Sequence, residues 1–312
     1  MSLIISISVP DGIIFAADSR QTYRNQKNVA RIGSETAEKI VLLNDKMCIG
    51  IAGLAFLDDN GKFISINQCI EDFISTSADE IKSAIEKNDI AAVPEMLKKY
   101  INDRYKWQDR QKNQIEHIKK DLETQKCTNI KVESNLNQAF VKFLDSNGVE
   151  KNITALIDSI NILFAGYKAD ESFEVYRIDI PGNVTLLRNS KGKNKEFGAS
   201  WIGQTDVVTR IILGWDHRIY SLPLINEQLK LHNRDSVGNQ LRKLEYNINW
   251  GTMTIQDAID FSRLMIQTTS AIQRFSDGIL MNPGDIPGVG GPIDVLVLKS
   301  SGPIWINRKE VH

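Results

Sequence analysis

The stretch that decides the fold is MSLIISISVPDGIIFAAD, residues 1–18. Two runs of apolar, largely β-branched residues flank the turn sequence PDG, which predicts two strands joined by a tight turn. The first strand opens with Ser2, directly behind the initiator Met1, and the second strand ends at Asp18. The stretch therefore begins with a hydroxyl group and ends with a carboxylate.

Ser2 is a candidate nucleophile. If Met1 is removed, Ser2 carries a hydroxyl and a free α-amine on the same residue, so that the nucleophile has its own base. An α-amine titrates near pH ~8, which suits a general base at neutral pH. Serine in second place is common, however, and taken alone it says nothing about function.

Three further segments strengthen this hypothesis: FAADSRQT at 15–22, AEKIVLLN at 37–44 and IGIAGLA at 49–55. Together with the start of the chain, they resemble the opening of a proteasome β-subunit, a member of the N-terminal-nucleophile (Ntn) hydrolase superfamily. At the family spacing, counting back from Asp18 reaches Ser2 and not Met1, so the resemblance implies that Met1 is removed. The segment that leads to Lys39 is several residues longer than in the family.

The resemblance implies a role for each catalytic candidate. Ser2 matches the nucleophile, and Asp18 would orient Lys39. The positive charge of Lys39 would lower the proton affinity of the nucleophile, and the backbone N–H of Gly53 would stabilise the oxyanion. Each residue also has a purely structural explanation: a salt bridge at a strand end for Asp18 and Lys39, and close packing for Gly53.

The same resemblance implies a substrate site. The backbones of Thr22 and Ala55 would pair with an extended substrate. Ile51 would form the floor of a side-chain pocket, with Ala37 and Ala55 at its walls and Gln21 at its rim. Because no charge lies at this floor, we expect an apolar residue on the acyl side of the cleaved bond.

Later segments also match the family, with departures. ILFAGY at 162–167, the following FEVYRID segment and its PGN turn resemble the family's central hairpin, and alternating apolar residues predict strands there independently. GGPIDVLVL at 290–298 resembles a closing core strand. Gln204 stands where the family has an auxiliary serine. Asp285 is at best one place from the accessory aspartate, and no serine accompanies it.

Composition narrows the protein class. The chain has 312 residues, 42% of them hydrophobic, and a net charge of −1. It therefore has no bulk attraction to nucleic acid or to an anionic membrane, and no apolar run reaches the ~18 residues of a membrane span. The three cysteines and four histidines show no metal-ligand spacing, so we expect no metal site. Cysteines that are few and odd in number indicate a reduced, cytoplasmic protein. We also expect Cys48 to be buried and no organic cofactor to be needed.

Helices are predicted between the strand blocks. Apolar residues recur at helical spacing over 63–90. Relative to the family, the chain is enlarged at about 94–155 and 215–250, and both enlargements are predicted to be helical insertions. Thr254 is a predicted N-cap with Asp257 three residues on. No linker or repeat interrupts the sequence, so the whole chain is predicted to form one domain.

These observations predict an α+β fold, a four-layer αββα sandwich of two antiparallel sheets. The leading function is an N-terminal-serine peptidase or amidohydrolase acting through an acyl-enzyme. One alternative is a non-catalytic proteasome-like scaffold or interaction subunit, and another is a small-amide Ntn hydrolase. The resemblance implies a ring-like homo-oligomer, and the sequence does not identify a partner ATPase. Retention of Met1 would exclude the α-amine mechanism.

Overall fold

The computed structural model describes residues 2–24, 29–59, 61–192, 196–276 and 286–309. Blocks of strands and blocks of helices follow one another along these ranges. The strands are β1 (Leu3–Val9), β2 (Gly12–Asp18), β3 (Gln21–Arg24), β4 (Ala30–Ser34), β5 (Ile40–Asn44), β6 (Met47–Gly53), β7 (Phe56–Asp59), β8 (Lys62–Ser65), β9 (Thr128–Asn135), β10 (Gln138–Leu144), β11 (Glu150–Leu156), β12 (Ile160–Tyr167), β13 (Phe173–Ile180), β14 (Val184–Asn189), β15 (Gly198–Gly203), β16 (Ile293–Lys299) and β17 (Gly302–Asn307). The α-helices are α1 (Ile66–Thr76), α2 (Ala78–Glu86), α3 (Ala92–Tyr105), α4 (Trp107–Thr124), α5 (Asp206–Leu213), α6 (Pro223–Leu231), α7 (Arg234–Leu241) and α8 (Ile255–Phe275).

The predicted hairpin at the start of the chain forms the middle of a five-stranded antiparallel sheet in the order β15-β1-β2-β16-β17. Val9 pairs with Gly12 across the turn. Every residue of β1 and β2 is buried, Ser6 and Ser8 included, which explains why apolar residues occupy both faces of these strands. Both faces of this sheet are covered.

A second antiparallel sheet has the order β14-β13-β12-β6-β5. The hairpin predicted at 162–179 is confirmed as β12 and β13, which pair along their whole length. One face of each sheet contributes to a shared buried cluster, in which Ile4 and Phe15 of the first sheet join Cys48 and Leu163 of the second. The prediction that Cys48 is buried is confirmed.

The helices cover the other faces of the two sheets. On the first sheet, Met265 and Ile266 of α8 join Leu3 and Ile5 in one buried cluster. The predicted start of α8 is confirmed, because the Thr254 side chain accepts from the backbone N–H of Asp257 and the Asp257 carboxylate accepts from that of Thr254, a capping box. On the second sheet, α1 and α3 join a cluster with side chains of β6, β12 and β13. The fold is α+β with antiparallel sheets, as predicted.

The helix predicted over 63–90 begins later than expected. Strands β7 and β8 pair as a hairpin, and α1 starts at Ile66 behind the N-cap Ser65, whose side chain accepts from the Gln68 backbone N–H. The hairpin turn is fixed by Asp58, whose carboxylate accepts the backbone N–H of Gly61 at 2.7 Å. Phe63 is therefore a strand residue.

The enlargement at 94–155 is helical only in its first half. Helix α3 ends at Tyr105 and α4 ends at Thr124, and β9, β10 and β11 then form a separate three-stranded sheet. Apolar residues alternate along β10, so that Val141 and Phe143 pack against Leu122 of α4. The prediction of a wholly helical insertion is wrong for these strands. In the enlargement at 215–250, the helical prediction is confirmed by α6 and α7.

Among the described residues, no helix has the length and apolar character that crossing a membrane requires.

Candidate active site

Ser2 is a buried residue directly before β1, and a hydrogen bond to its carbonyl oxygen fixes its backbone. Its carbonyl oxygen accepts the backbone N–H of Gln204 at 2.7 Å. Gly203, which precedes Gln204, has φ +91°, and a Cβ atom there would lie 1.9 Å from the Ser2 carbonyl oxygen. Only glycine permits this approach, so the end of β15 fixes the backbone of the candidate nucleophile.

Asp18 is a fully buried carboxylate with both oxygens occupied. Oδ1 accepts the backbone N–H of Leu3 at 2.9 Å and the Lys39 ammonium at 2.7 Å. Oδ2 accepts the backbone N–H groups of Gly290 at 3.0 Å and Arg20 at 3.2 Å. Four donors compensate the burial of this charge, and one of them belongs to the residue next to Ser2.

Lys39 is buried and paired with Asp18. Its Nζ donates to Asp18 Oδ1 and to the carbonyl oxygen of Arg20, both at 2.7 Å. Burial lowers the pKa of Lys39, the Asp18 carboxylate opposes this shift, and Lys309 and Arg20 add to it. An ammonium has three N–H donors. Within the described part of the chain, these two acceptors leave one donor for a group in the adjoining cavity.

The candidate residues meet at one cavity of about 840 Å³. Of the predicted catalytic residues, Ser2, Lys39 and Gly53 line it, while Asp18 is outside the lining and reaches the cavity through Lys39. The predicted substrate-binding residues all line it: Gln21, Thr22, Ala37, Ile51 and Ala55. The structure thus brings together residues that are spread over the first 55 positions of the chain.

Gly53 has a structural reason to be glycine. It ends β6 with φ +107°, and a Cβ atom there would lie 2.0 Å from the carbonyl oxygen of Ser159. The next backbone N–H, that of Leu54, donates to the same oxygen at 3.0 Å. Close packing therefore accounts for this glycine, and its service as an oxyanion donor stays a prediction.

The two predicted backbone partners of the substrate differ in their surroundings. Thr22 lies on β3, which pairs with β4 alone in a two-stranded sheet. No further strand of the described ranges pairs with β3, and pairing of Thr22 with a substrate stays a prediction. The carbonyl oxygen of Ala55 already accepts the backbone N–H of Ile66 at 2.9 Å, which leaves that oxygen one lone pair for a substrate.

The predicted accessory residue Gln204 belongs to a structural network. Its side-chain oxygen accepts from the Gln273 amide at 2.7 Å, and the Gln273 oxygen accepts the backbone N–H groups of Gly288 and Val289 at 3.0 and 2.9 Å. Gln204 therefore ties the backbone that holds Ser2 to the segment before β16, and it does not line the cavity. Asp285, like Met1, lies outside the described residues.

A second buried ion pair lies behind the Asp18–Lys39 pair and was missed from the sequence. Lys309 Nζ donates to the carboxylate of Asp294 and, at 3.0 Å, to Ser19 Oγ. Both partners of the pair are almost inaccessible. The sequence signal was the aspartate in the apolar strand IDVLVLK, because a buried carboxylate requires a cationic partner. The position of that partner in the chain gave no such signal.

The polar lining of the cavity suits acyl transfer. It combines a hydroxyl, an ammonium and a backbone glycine, which are the group types needed to attack a carbonyl and to stabilise the resulting oxyanion. Among the residues that the structure describes, no group of three or more histidine, cysteine, aspartate and glutamate side chains is placed to hold a metal ion. The comparison with protein-family models gives no match to this chain, and neither does the search of curated proteins.

Proposed function

We propose that this chain is an Ntn hydrolase resembling a proteasome β-subunit, which cleaves peptide or amide bonds with Ser2 after removal of Met1. The observation that carries the proposal is the buried Asp18–Lys39 pair, whose carboxylate also accepts the N–H next to Ser2. Lys39 and Ser2 line the same cavity. A buried charge pair at a cavity is costly to maintain and is typical of catalytic sites.

We also propose that the fold is the four-layer αββα sandwich of this superfamily. The supporting observation is that the two five-stranded sheets share one buried cluster. Helix α8 covers the remaining face of one sheet, and α1 and α3 cover that of the other. Each sheet then has two apolar faces to bury, which four layers achieve.

In the proposed reaction, the α-amine of Ser2 takes the hydroxyl proton as Oγ forms a bond to the substrate carbonyl carbon. The carbonyl oxygen becomes an oxyanion, which the backbone N–H of Gly53 stabilises. Collapse of this intermediate breaks the C–N bond, and the leaving amine takes the proton from the α-amine. Water then attacks the carbonyl carbon of the Ser2 ester, and the α-amine takes the proton of the water. Collapse of this second intermediate breaks the bond to Ser2 Oγ, and Oγ takes the proton from the α-amine. The acid is released and Ser2 is restored.

Lys39 acts in this scheme through its charge. Its ammonium is held by Asp18 and by the Arg20 carbonyl, so its position is fixed before the substrate arrives. The remaining N–H donor stabilises negative charge that develops on Ser2 Oγ during attack. Such preorganised charge acts more strongly in a buried site than in water.

The size of the cavity favours a peptide over a small amide. Its volume of about 840 Å³ lies in the upper part of the ~300–1,000 Å³ range of sites that hold drug-sized ligands. A small amide would leave most of this space filled with water. The proposal extends, on the resemblance alone, to a ring-like homo-oligomer in the cytoplasm.

The test compares hydrolysis of fluorogenic peptides by wild type and Ser2→Ala. We expect Ser2→Ala to keep the unfolding midpoint of wild type and to lose hydrolysis. Ser159→Ala is the matched control, because Ser159 lines the same cavity and has no role in the proposed reaction; it should retain hydrolysis. Hydrolysis by Ser2→Ala at the wild-type rate would remove Ser2 from the mechanism.

A further inference from the structure

The β7–β8 hairpin has two apolar faces. Directly opposed residues of an antiparallel pair lie on the same side, and the register pairs Leu57 with Ile64 and Asp58 with Phe63. Because side chains alternate along a strand, Phe56 shares a face with Phe63, and Leu57 and Ile64 occupy the opposite one. We call these the outer and the inner face of the hairpin.

The inner face anchors the hairpin. Leu57 is fully buried in the cluster formed with α1 and α3, and Ile64 packs against that cluster. The backbone carbonyl of Asp58 accepts from the Arg110 guanidinium of α4 at 3.1 Å, and the Asp58 side chain fixes the turn. The contacts of the inner face and of Asp58 therefore hold the hairpin in place, so that its outer face is already positioned before a ligand binds.

The outer face carries two exposed aromatic side chains at the cavity. Phe56 is 50% exposed and Phe63 is 75% exposed, and both line the cavity that contains Ser2 and Lys39. Tyr23 on β3, 53% exposed, lines it as well. Grouped exposed aromatic side chains rimmed by polar ones mark binding surfaces more often than isolated ones do.

We propose that the outer face of the β7–β8 hairpin, Phe56 and Phe63, is a binding subsite for an apolar residue of an extended polypeptide substrate, distinct from the pocket at Ile51. The inference rests on the proposed function, since it takes the cavity to be a substrate site. We take the occupant to be part of the substrate because the exposed aromatic residues and the candidate nucleophile line the same cavity.

The charged residues that line the cavity are few and mostly paired, which favours an apolar segment as the occupant. Its charged lining residues, within the described ranges, are Glu38, Lys39 and Asp158. Lys39 is paired with Asp18, and Glu38 is paired with Arg308 at 2.8 Å. A charged substrate residue would thus find few uncommitted partners, whereas two phenyl rings provide apolar area for a leucine or phenylalanine side chain.

The test measures binding without hydrolysis, in the Ser2→Ala background. The probe is a fluorescein-labelled extended peptide with a leucine at one position and serine elsewhere; the leucine is moved along the peptide, and an all-serine peptide serves as reference. We expect Phe63→Ser to weaken binding about tenfold for at least one leucine position and to leave the all-serine peptide unaffected. Phe275→Ser is the matched control, because Phe275 is a phenylalanine 81% exposed on α8 outside the cavity lining, and it should bind like the parent.

Several results would overturn the inference. One is equal binding by Phe63→Ser and Phe275→Ser at every leucine position. Another is a smaller particle by light scattering for Phe63→Ser alone, which would make the outer face an interface between copies of the chain. The proposed function fails separately: if wild type hydrolyses no peptide and binding still depends on Phe63, the subsite stands without the reaction. If hydrolysis depends on Ser2 and binding is indifferent to Phe63, only the subsite is wrong.

Discussion

Asp18→Asn is the most demanding test of the buried charge network. The carboxylate receives four hydrogen bonds, two on each oxygen. An asparagine has one acceptor oxygen, and its NH2 group must face one of the two pairs of donors. The substitution therefore leaves two buried donors facing another donor, and in either orientation the Lys39 ammonium loses its counter-charge.

The expected cost follows from that count. Removing one partner of a buried ion pair costs about 3–5 kcal/mol of unfolding free energy, and Asp18 and Lys39 are both almost inaccessible. We expect Asp18→Asn to fall in this range by urea unfolding and to lose most of its hydrolytic activity. Lys39→Ala should also lose activity, and Lys39→Arg should not restore it, because a guanidinium has a different geometry.

The pH dependence of this deficit has a definite sign. Burial places the pKa of Lys39 in the folded protein below its usual value. Between these two pKa values the unfolded chain binds more protons, so stability rises with pH across that window. Loss of the Asp18 carboxylate lowers the folded-state pKa further, so Asp18→Asn should recover part of its deficit as the pH is raised from neutral towards the usual lysine value.

The control is an ion pair whose lysine is exposed. Lys151 and Asp145 are joined at 2.8 Å, with Lys151 57% exposed, and Lys151→Met should leave the unfolding midpoint close to that of wild type. The reasoning is refuted if Asp18→Asn unfolds at the wild-type midpoint, or if it is as active as wild type. A deficit that grows with rising pH would contradict the assignment of the effect to Lys39.

Two further predictions follow from the geometry around Ser2 and the cavity. Gly203→Ala should destabilise the protein by about 1–3 kcal/mol and suppress hydrolysis, because its Cβ atom would collide with the Ser2 carbonyl oxygen. The control is Gly148→Ala, since Gly148 has φ +76° but no atom within 4 Å of its Cβ position. This variant isolates the cost of the backbone conformation. A more stable Gly203→Ala than Gly148→Ala in urea unfolding would contradict this. In a panel of fluorogenic peptides that differ on the acyl side of the cleaved bond, leucine and tyrosine should be preferred to arginine and aspartate, since Ile51 gives an apolar floor worth about 1–3 kcal/mol of selectivity. A preference for arginine would instead assign the pocket to Glu38 and Asp158, which line the same cavity.

The elements that were predicted well have strong local signals. The hairpin at 3–18 combines β-branched runs with a Pro-Asp-Gly turn, and the hairpin at 160–180 combines two strands with alternating apolar residues. The start of α8 is fixed by Thr254 and Asp257, a pattern that acts over a single turn. Local chemistry decides each of these elements, so the sequence alone predicts them.

The features that were missed depend on contacts distant in sequence or on weak local signals. Residues 128–156 follow a long charged helix, and only β10 alternates clearly between buried and exposed residues. The Lys309–Ser19 contact joins positions 290 residues apart, which no local pattern encodes. The need for glycine at 203 arises from the approach of another strand. Such features follow from tertiary packing.

The central claim is that Ser2 is the N-terminal residue and the nucleophile. Native protein is treated with a β-lactone, an electrophile that acylates reactive hydroxyl groups, and its N-terminal peptide is then analysed by mass spectrometry. The account predicts a peptide that begins at Ser2 and carries one acyl adduct on that residue, and no adduct in Lys39→Ala. A peptide that begins at Met1 and carries no adduct, from protein that hydrolyses peptides, would contradict the account.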